Sequence, residues 1–150
     1  MTNRINIHKT NKLGIAAVLG MEAYNRRGMD AGLKELVVLR ASLLNDCRYC
    51  IAMHRRDATK RGETAERLDA VADWPQHREL FTPAEQVALE FTDAVTRIHG
   101  EESVPDELYD RVQATFGEDG TGHLLLTIAT INVWNRLAIS TRMDPATLKP

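Results

Sequence analysis

The run from Leu124 to Leu137 constrains the fold most. It gathers Leu124, Leu125, Leu126, Ile128, Ile131, Val133, Trp134 and Leu137 on more than one face of a helix. A helix that is apolar all round has to be buried, so in a small domain it is expected to be central or shared with another subunit. Elsewhere few stretches alternate apolar and polar residues as strands do, whereas helical spacing recurs throughout. The chain therefore reads as all-α. Its 150 residues fit one domain, and a chain of that size buries roughly 68–70% of its unfolded surface. No repeat, low-complexity tract or linker divides it.

Local signals mark the helix ends. A first helix is expected from about residue 9 to Arg27, with Gly28 as a stop. A second runs from about Asp30 to Leu44, placing Leu36, Leu39 and Leu43 on one stripe. Asn45-Asp46 is a turn and N-cap signal, so a third helix should open at Cys47 and stop near Gly62. A short helix follows Thr64, and Trp74-Pro75 breaks the pattern. Thr82-Pro83-Ala84-Glu85 is a capping box with proline at the first helical position, opening a helix to about Ile98. Ser103 to Phe116 forms another, Gly117-Glu118-Asp119-Gly120 reads as a loop, and the last helix extends from about Gly122 to Ser140.

Charged residues make up 27% of the chain and apolar residues 43%, with a formal net charge of -2. Neither a basic stripe nor interleaved aromatics is present, which argues against a nucleic-acid partner. Lys9 and Lys12 before the apolar run Leu13 to Met21 loosely imitate a secretion signal. However, Leu19-Gly20-Met21 leads straight into Glu22 without a small-residue cleavage site, and the run is too short to span a bilayer. The expectation is a cytoplasmic protein with no membrane association. In a reducing compartment two cysteines are expected to be catalytic or metal-binding rather than a permanent brace.

Those two cysteines form Cys47-Arg48-Tyr49-Cys50 at an expected helix start. Residues three apart share a helix face, so the sulfurs can approach bonding distance. The free N–H groups and positive dipole end favour a thiolate. His54 follows on the same face, where an imidazole can take the thiol proton. If the second and third helices run antiparallel about Asn45-Asp46, Glu35 and His54 stand at nearly equal heights. Leu39 and Leu43 continue the stripe of Glu35, which points it inward, and a glutamate aimed at a core needs a partner. A carboxylate beside the histidine orients the ring and makes it a better base, as in nucleophile–base–orienter relays.

Other chemistries use the same residues. C-x2-C-x3-H supplies three zinc ligands, and Glu35 can stand as the fourth that a structural zinc wants. His8, His77, His99 and His123 lack a spacing that nominates any of them. A thioredoxin fold is disfavoured because the β-α-β pattern around its motif is missing. The helix dipole favours Cys47 as the reactive sulfur, while the neighbouring histidine favours Cys50, so residue chemistry leaves that choice open.

Glu35-x11-Cys47-x2-Cys50-x3-His54 resembles the signature of the alkylhydroperoxidase AhpD-like proteins of the carboxymuconolactone decarboxylase superfamily. Leu33-Lys34-Glu35-Leu36-Val37-Val38-Leu39-Arg40, Leu44-Asn45-Asp46-Cys47 and Ile51-Ala52-Met53-His54 agree with it. The likeness extends over about residues 33–140, within a single domain spanning 1–150. It implies an AhpD-like helical bundle around a central antiparallel hairpin, commonly trimeric or hexameric, with peroxidase or dithiol–disulfide chemistry and no bound cofactor or metal. By that likeness Cys50 is the peroxidatic thiolate and Cys47 the resolving thiol, with Glu35 and His54 as proton relay. The implied partners are a peroxide and an external dithiol reductant, a lipoyl group or a thioredoxin-like protein. The best-known peroxidases of the family carry histidine where this chain has Tyr49, and a phenol is a poor base at neutral pH. A shorter or slower relay follows. The rival readings are a lactone decarboxylase, which has no need of two cysteines, a non-catalytic zinc module, and a redox sensor that closes the disulfide without fast turnover.

The remaining candidates have plainer readings. Met21, Met29, Met53 and Met143 are scattered and read as core filling. Trp134 with Asn132 and Asn135 can line a pocket, or the asparagines can simply satisfy a buried indole. His99 beside Gly100 reads as a helix C-terminus, and no role is assigned to His123.

Overall fold

The computed structural model describes residues 4–148. Seven α-helices follow one another: α1 Ile7–Thr10, α2 Lys12–Asn25, α3 Ala31–Leu44, α4 Arg48–Lys60, α5 Ala65–Ala70, α6 Pro83–Thr96 and α7 Asp106–Thr141. Short 3-10 turns cover Val71–Gln76, Arg78–Leu80, Glu101–Ser103 and Pro145–Thr147. The described residues contain no strand, as the periodicity requires.

The helix starts follow side-chain chemistry. Asp30 caps α3 by accepting the Leu33 N–H, and Thr64 caps α5 by accepting that of Arg67. Thr82 and Glu85 close the expected capping box reciprocally at α6, satisfying N–H groups that a helix start leaves free. Two expectations fail. The first helix is split at Asn11, which ends α1 by donating its N–H to the Ile7 carbonyl and then precedes α2 with non-helical φ/ψ. The loop expected at Gly117 to Gly120 is a single-residue kink. Gly117 alone leaves the helical region, at φ 69° and ψ 179°, a conformation glycine reaches without penalty. Glu118 and Asp119 then sit in the first turn of the resumed helix, where negative charge is favourable.

The central element is α3, not the end of α7. Nine consecutive residues from Lys34 to Ser42 are buried. Leu36 and Leu39 pack with Leu68, Val71, Trp74, Phe81 and Leu89. Val37 packs with Phe91, Val112, Leu124 and Ile128, while Val38 and Ala41 meet Ile131. A fully buried leucine stabilises by about 1.5–3 kcal/mol, so α3 organises most of the core. The α7 run expected to be central or shared with another subunit is two-sided: Leu124, Ile128 and Ile131 are buried, while Leu125, Leu126 and Val133 are exposed. Helix α2 is similarly apolar yet buries only Ile15 and Asn25, leaving Leu13 89% exposed.

Three charged side chains of α3 also point inward, each paired with a different helix. Lys34 meets Glu22 of α2, Glu35 meets His54 of α4, and Arg40 meets Asp93 of α6. Arg40 also donates to the Val71 and Ala72 carbonyls, and Trp74 Nε1 donates to Asp93. Buried charges require such partners.

Candidate active site

The hairpin between α3 and α4 positions the site. Helix α3 ends in a Schellman motif: the Cys47 N–H donates to the Ser42 carbonyl and the Asp46 N–H to that of Leu43, with Asp46 left-handed at φ 51° in the place glycine usually fills. The turn is clamped from α7. Asn45 Nδ2 donates to Asn132 Oδ1 at 3.0 Å and to Asn135 Oδ1 at 2.9 Å. Asn135 Nδ2 donates in turn to Ser42 Oγ, and Asn132 Nδ2 to Thr96 Oγ1. Among the described residues neither asparagine is hydrogen-bonded to the indole. They hold the turn that presents Cys47.

Cys47 is the N-cap of α4, and its Sγ accepts the Cys50 N–H at 3.4 Å. The two cysteines are joined as a disulfide, with Cα atoms 5.3 Å apart, within the range such bridges need. They are 1% and 2% exposed and pack on Ala138, with Tyr49 and Met143 alongside. One helical turn beyond Cys50, His54 is 9% exposed, and its Nδ1 lies 3.2 Å from Oε2 of Glu35, itself 6% exposed. A carboxylate only accepts hydrogen bonds, so Nδ1 carries the proton. His54 Nε2 is buried with no hydrogen-bond partner among the described residues, and is the uncommitted nitrogen of the ring.

Cys50, His54, Glu35, Tyr49 and Met53 line a cavity of about 370 Å³, with Trp134 and His8 at its wall. His8 and Trp134 stack with ring centroids 6.0 Å apart. Met53 and Met143 border this cavity, Met29 packs against the core, and Met21 is exposed, so not all four methionines fill the core. Cys47 does not line the cavity. It faces a second groove of about 730 Å³ with Asp46, Ile139 and Arg142.

One site residue escaped the sequence reading. Arg61 Nε lies 3.5 Å from Glu35 Oε1, so the carboxylate is held between the imidazole and a half-exposed guanidinium. The available signal is spacing: Arg61 lies seven residues after His54 and shares its face. His123 stacks on Tyr24 with centroids 4.6 Å apart, and His99 Nδ1 sits 2.9 Å from the Arg97 carbonyl just past α6. Among the described residues no three His, Cys, Asp or Glu side chains converge to hold a metal ion, and no helix is long and apolar enough to cross a membrane.

Comparison with known proteins places the chain in a family. The sequence model described as "Carboxymuconolactone decarboxylase family" matches residues 14–94, whereas the likeness read from the residues runs over about 33–140. The chain is 35% identical over 141 residues to YdfG of Bacillus subtilis (strain 168), covering 93% of this chain and 95% of that protein. It is 27% identical over 119 residues to YnjA of Escherichia coli (strain K12), covering 79% of this chain and 64% of YnjA. Neither relative has a characterised function. A crystal structure from Agrobacterium tumefaciens superposes with a TM-score of 0.88 at 29% identity, covering 95% of this chain and 97% of that one. It is described as a protein of unknown function and a candidate antioxidant defence protein, AhpD. Helical fold, cysteine pair and sequence likeness agree: the chain belongs to the carboxymuconolactone decarboxylase family and is one of its AhpD-like members.

Proposed function

We propose that the protein is a thiol-dependent peroxidase cycling the Cys47–Cys50 pair between dithiol and disulfide. The observation that carries this reading is that Cys50, His54 and Glu35 share one cavity while Cys47 lies just outside it. In the reduced protein His54 takes the Cys50 proton, with Glu35 holding Nδ1 and balancing the imidazolium. The thiolate attacks one peroxide oxygen, the O–O bond breaks, and the departing alkoxide or hydroxide takes a proton to leave as alcohol or water. The resulting Cys50 sulfenic acid is attacked by Cys47, releasing water and forming the disulfide. An external dithiol supplies the two electrons that restore both thiols. Tyr49 adds a hydrogen-bonding phenol beside Cys50 but not a base, so resolution depends on the single imidazole.

The test is peroxide turnover with a dithiol reductant, combined with peptide masses after limiting peroxide. Cys50→Ser should abolish consumption. Cys47→Ser should leave Cys50 as a sulfenic acid. A Cys50→Ser protein reacting as fast as the parent overturns the mechanism.

Assembly of identical subunits, as a trimer or hexamer, belongs to the same reading. Its support is the exposed apolar surface of α2 and α7, carried by Leu13, Leu19, Leu125, Leu126 and Val133. Helices α2 and α7 pack on each other, and large apolar side chains left exposed on neighbouring elements are candidates for an interaction surface. Sedimentation equilibrium tests it, and a monomer at micromolar concentration would refute it.

A further inference from the structure

The cavity beside Cys50 holds a second imidazole, which comes from a part of the chain remote from the cysteine pair. His8, on α1, lines this cavity together with Cys50 and His54. Its placement depends on the break at Asn11, whose φ of -126° and ψ of 52° interrupt the helix. A continuous helix would carry residue 8 along the axis of α2, and the break frees the N-terminal segment to meet α7 instead. Two contacts hold it there. Arg4 Nη1 donates to the Ser140 carbonyl at 2.6 Å, and His8 lies nearly parallel to Trp134, with 7° between the ring planes. Trp134 packs in turn on Val38, Ala41 and Ile131, so the platform beside the imidazole is fixed to the core.

His8 is also chemically uncommitted. It is exposed, and among the described residues it makes the indole stack but no hydrogen bond or ion pair. Both ring nitrogens can therefore exchange protons with water. An imidazole changes charge near neutral pH, so it can give a proton to an anion and recover it from solvent.

We infer that His8 is the general acid of the peroxide step: it protonates the oxygen that leaves when the O–O bond breaks. This rests on the proposed redox cycle and assigns the source of one proton in it. An alkoxide is a poor leaving group because its conjugate acid is weak, so the reaction gains most from a proton delivered as the bond breaks. His54 is less suited to that task. The proton it takes from Cys50 is held in an ion pair with Glu35, at 3.2 Å, and a carboxylate partner makes an imidazolium a weaker acid. Acid and base are thus divided between two imidazoles that reach the cavity from different helices.

The step balances. Cys50 Sγ, as the thiolate, bonds to the terminal peroxide oxygen and the O–O bond breaks. The electron pair of that bond goes to the alkoxide oxygen, which takes the proton of the His8 imidazolium. The products are the Cys50 sulfenic acid and an alcohol. Neutral His8 regains a proton from water, and His54 returns to water the one it took from the thiol.

The experiment uses reduced full-length protein and two oxidants that differ in their leaving group. tert-Butyl hydroperoxide expels an alkoxide and needs the acid. Peracetic acid expels a carboxylate, which is stable at neutral pH without a proton. His8→Phe keeps a ring to stack on Trp134 but carries no proton. It is expected to slow single-turnover oxidation by tert-butyl hydroperoxide by about 10- to 100-fold, and oxidation by peracetic acid by less than about threefold. Added imidazole should restore part of the lost rate. Alkylation of the reduced cysteines by iodoacetamide, which needs a thiolate but no acid, should stay within about twofold of the parent. Equal slowing with both oxidants would mean that His8 only shapes the cavity, and it overturns the inference. So does a variant that reacts with tert-butyl hydroperoxide as fast as the parent. A parent that is alkylated yet reacts with neither oxidant removes the peroxidase reading and this inference together, whereas a reactive parent with an indifferent variant removes this inference alone.

Discussion

Replacing Glu35 by glutamine is the sharpest test of the proposed relay. The change is nearly isosteric, and it removes a negative charge without opening space. In the parent, Oε2 lies 3.2 Å from His54 Nδ1 and Oε1 lies 3.5 Å from Arg61 Nε. Both partners of the first contact are over nine-tenths buried, so solvent screens the pair weakly. When His54 takes the thiol proton, the parent holds an imidazolium against a carboxylate, whereas the variant holds it against a neutral amide. A hydrogen bond to a charged group contributes about 1.5–3 kcal/mol, against about 1 kcal/mol for a neutral one. The amide can also turn its NH2 group toward Nδ1 and impose the other tautomer. Losing the difference, about 0.5–2 kcal/mol, from the step that forms the ion pair slows it by about 2- to 30-fold. The assay is single-turnover thiol loss when reduced protein is mixed with excess hydrogen peroxide. The thermal midpoint serves as the control, and it should move little because Arg61 is half-exposed and regains water. Oxidation of Glu35→Gln as fast as the parent, with an unchanged fold, would refute the relay.

Three further expectations concern the scaffold. Asp93→Ala strands the buried Arg40 guanidinium and should cost about 3–5 kcal/mol in urea unfolding, a far larger loss than a surface ion pair gives. Asn135→Ala removes the bonds to Asn45 and Ser42 and leaves a small void, so about 2–3 kcal/mol is expected, with slower disulfide closure because the turn before Cys47 loosens. Arg142→Gly relieves a left-handed arginine at φ 54°. That conformation costs about 1–2 kcal/mol for a residue with a Cβ, partly offset by the greater freedom of glycine in the unfolded chain. A gain of about 0.5–1 kcal/mol, or roughly 1–4 °C in melting temperature, should appear in calorimetry.

Much of this arrangement is legible in the chain because it depends on local chemistry. The capping box at Thr82 needs only neighbours three residues apart, and it forms as read. The meeting of Glu35 and His54 follows from counting outward from one turn, since an antiparallel hairpin fixes relative height. What escaped depends on contacts distant in sequence or on single dihedrals. Gly117 looked like part of a loop because two glycines flank two acids, yet only one residue leaves the helix and the acids suit its restart. Asn132 and Asn135 reveal their purpose only when α7 is laid against the α3–α4 turn. The apolar run of α7 overstated its burial, since periodicity does not distinguish a face turned to the core from one left outside it. That Cys50 borders the cavity of His54 and Glu35 while Cys47 does not is a property of packing, and no spacing rule contains it.

The three inward charges of α3 have a consequence for how the bundle finds its register. Leucine and valine contacts tolerate a slide of a few ångströms, because one aliphatic surface substitutes for another. Lys34, Glu35 and Arg40 do not, since each must meet its counter-ion on a different neighbouring helix. Displacing α4 by one turn would part the imidazole from its carboxylate, and displacing α6 would maroon a guanidinium in hydrocarbon. The ion pairs therefore act as alignment pins whose tolerance is a fraction of a helical turn, and one of them is also the proposed proton relay. Under the proposed mechanism, reactivity and correct docking therefore depend on the same two side chains.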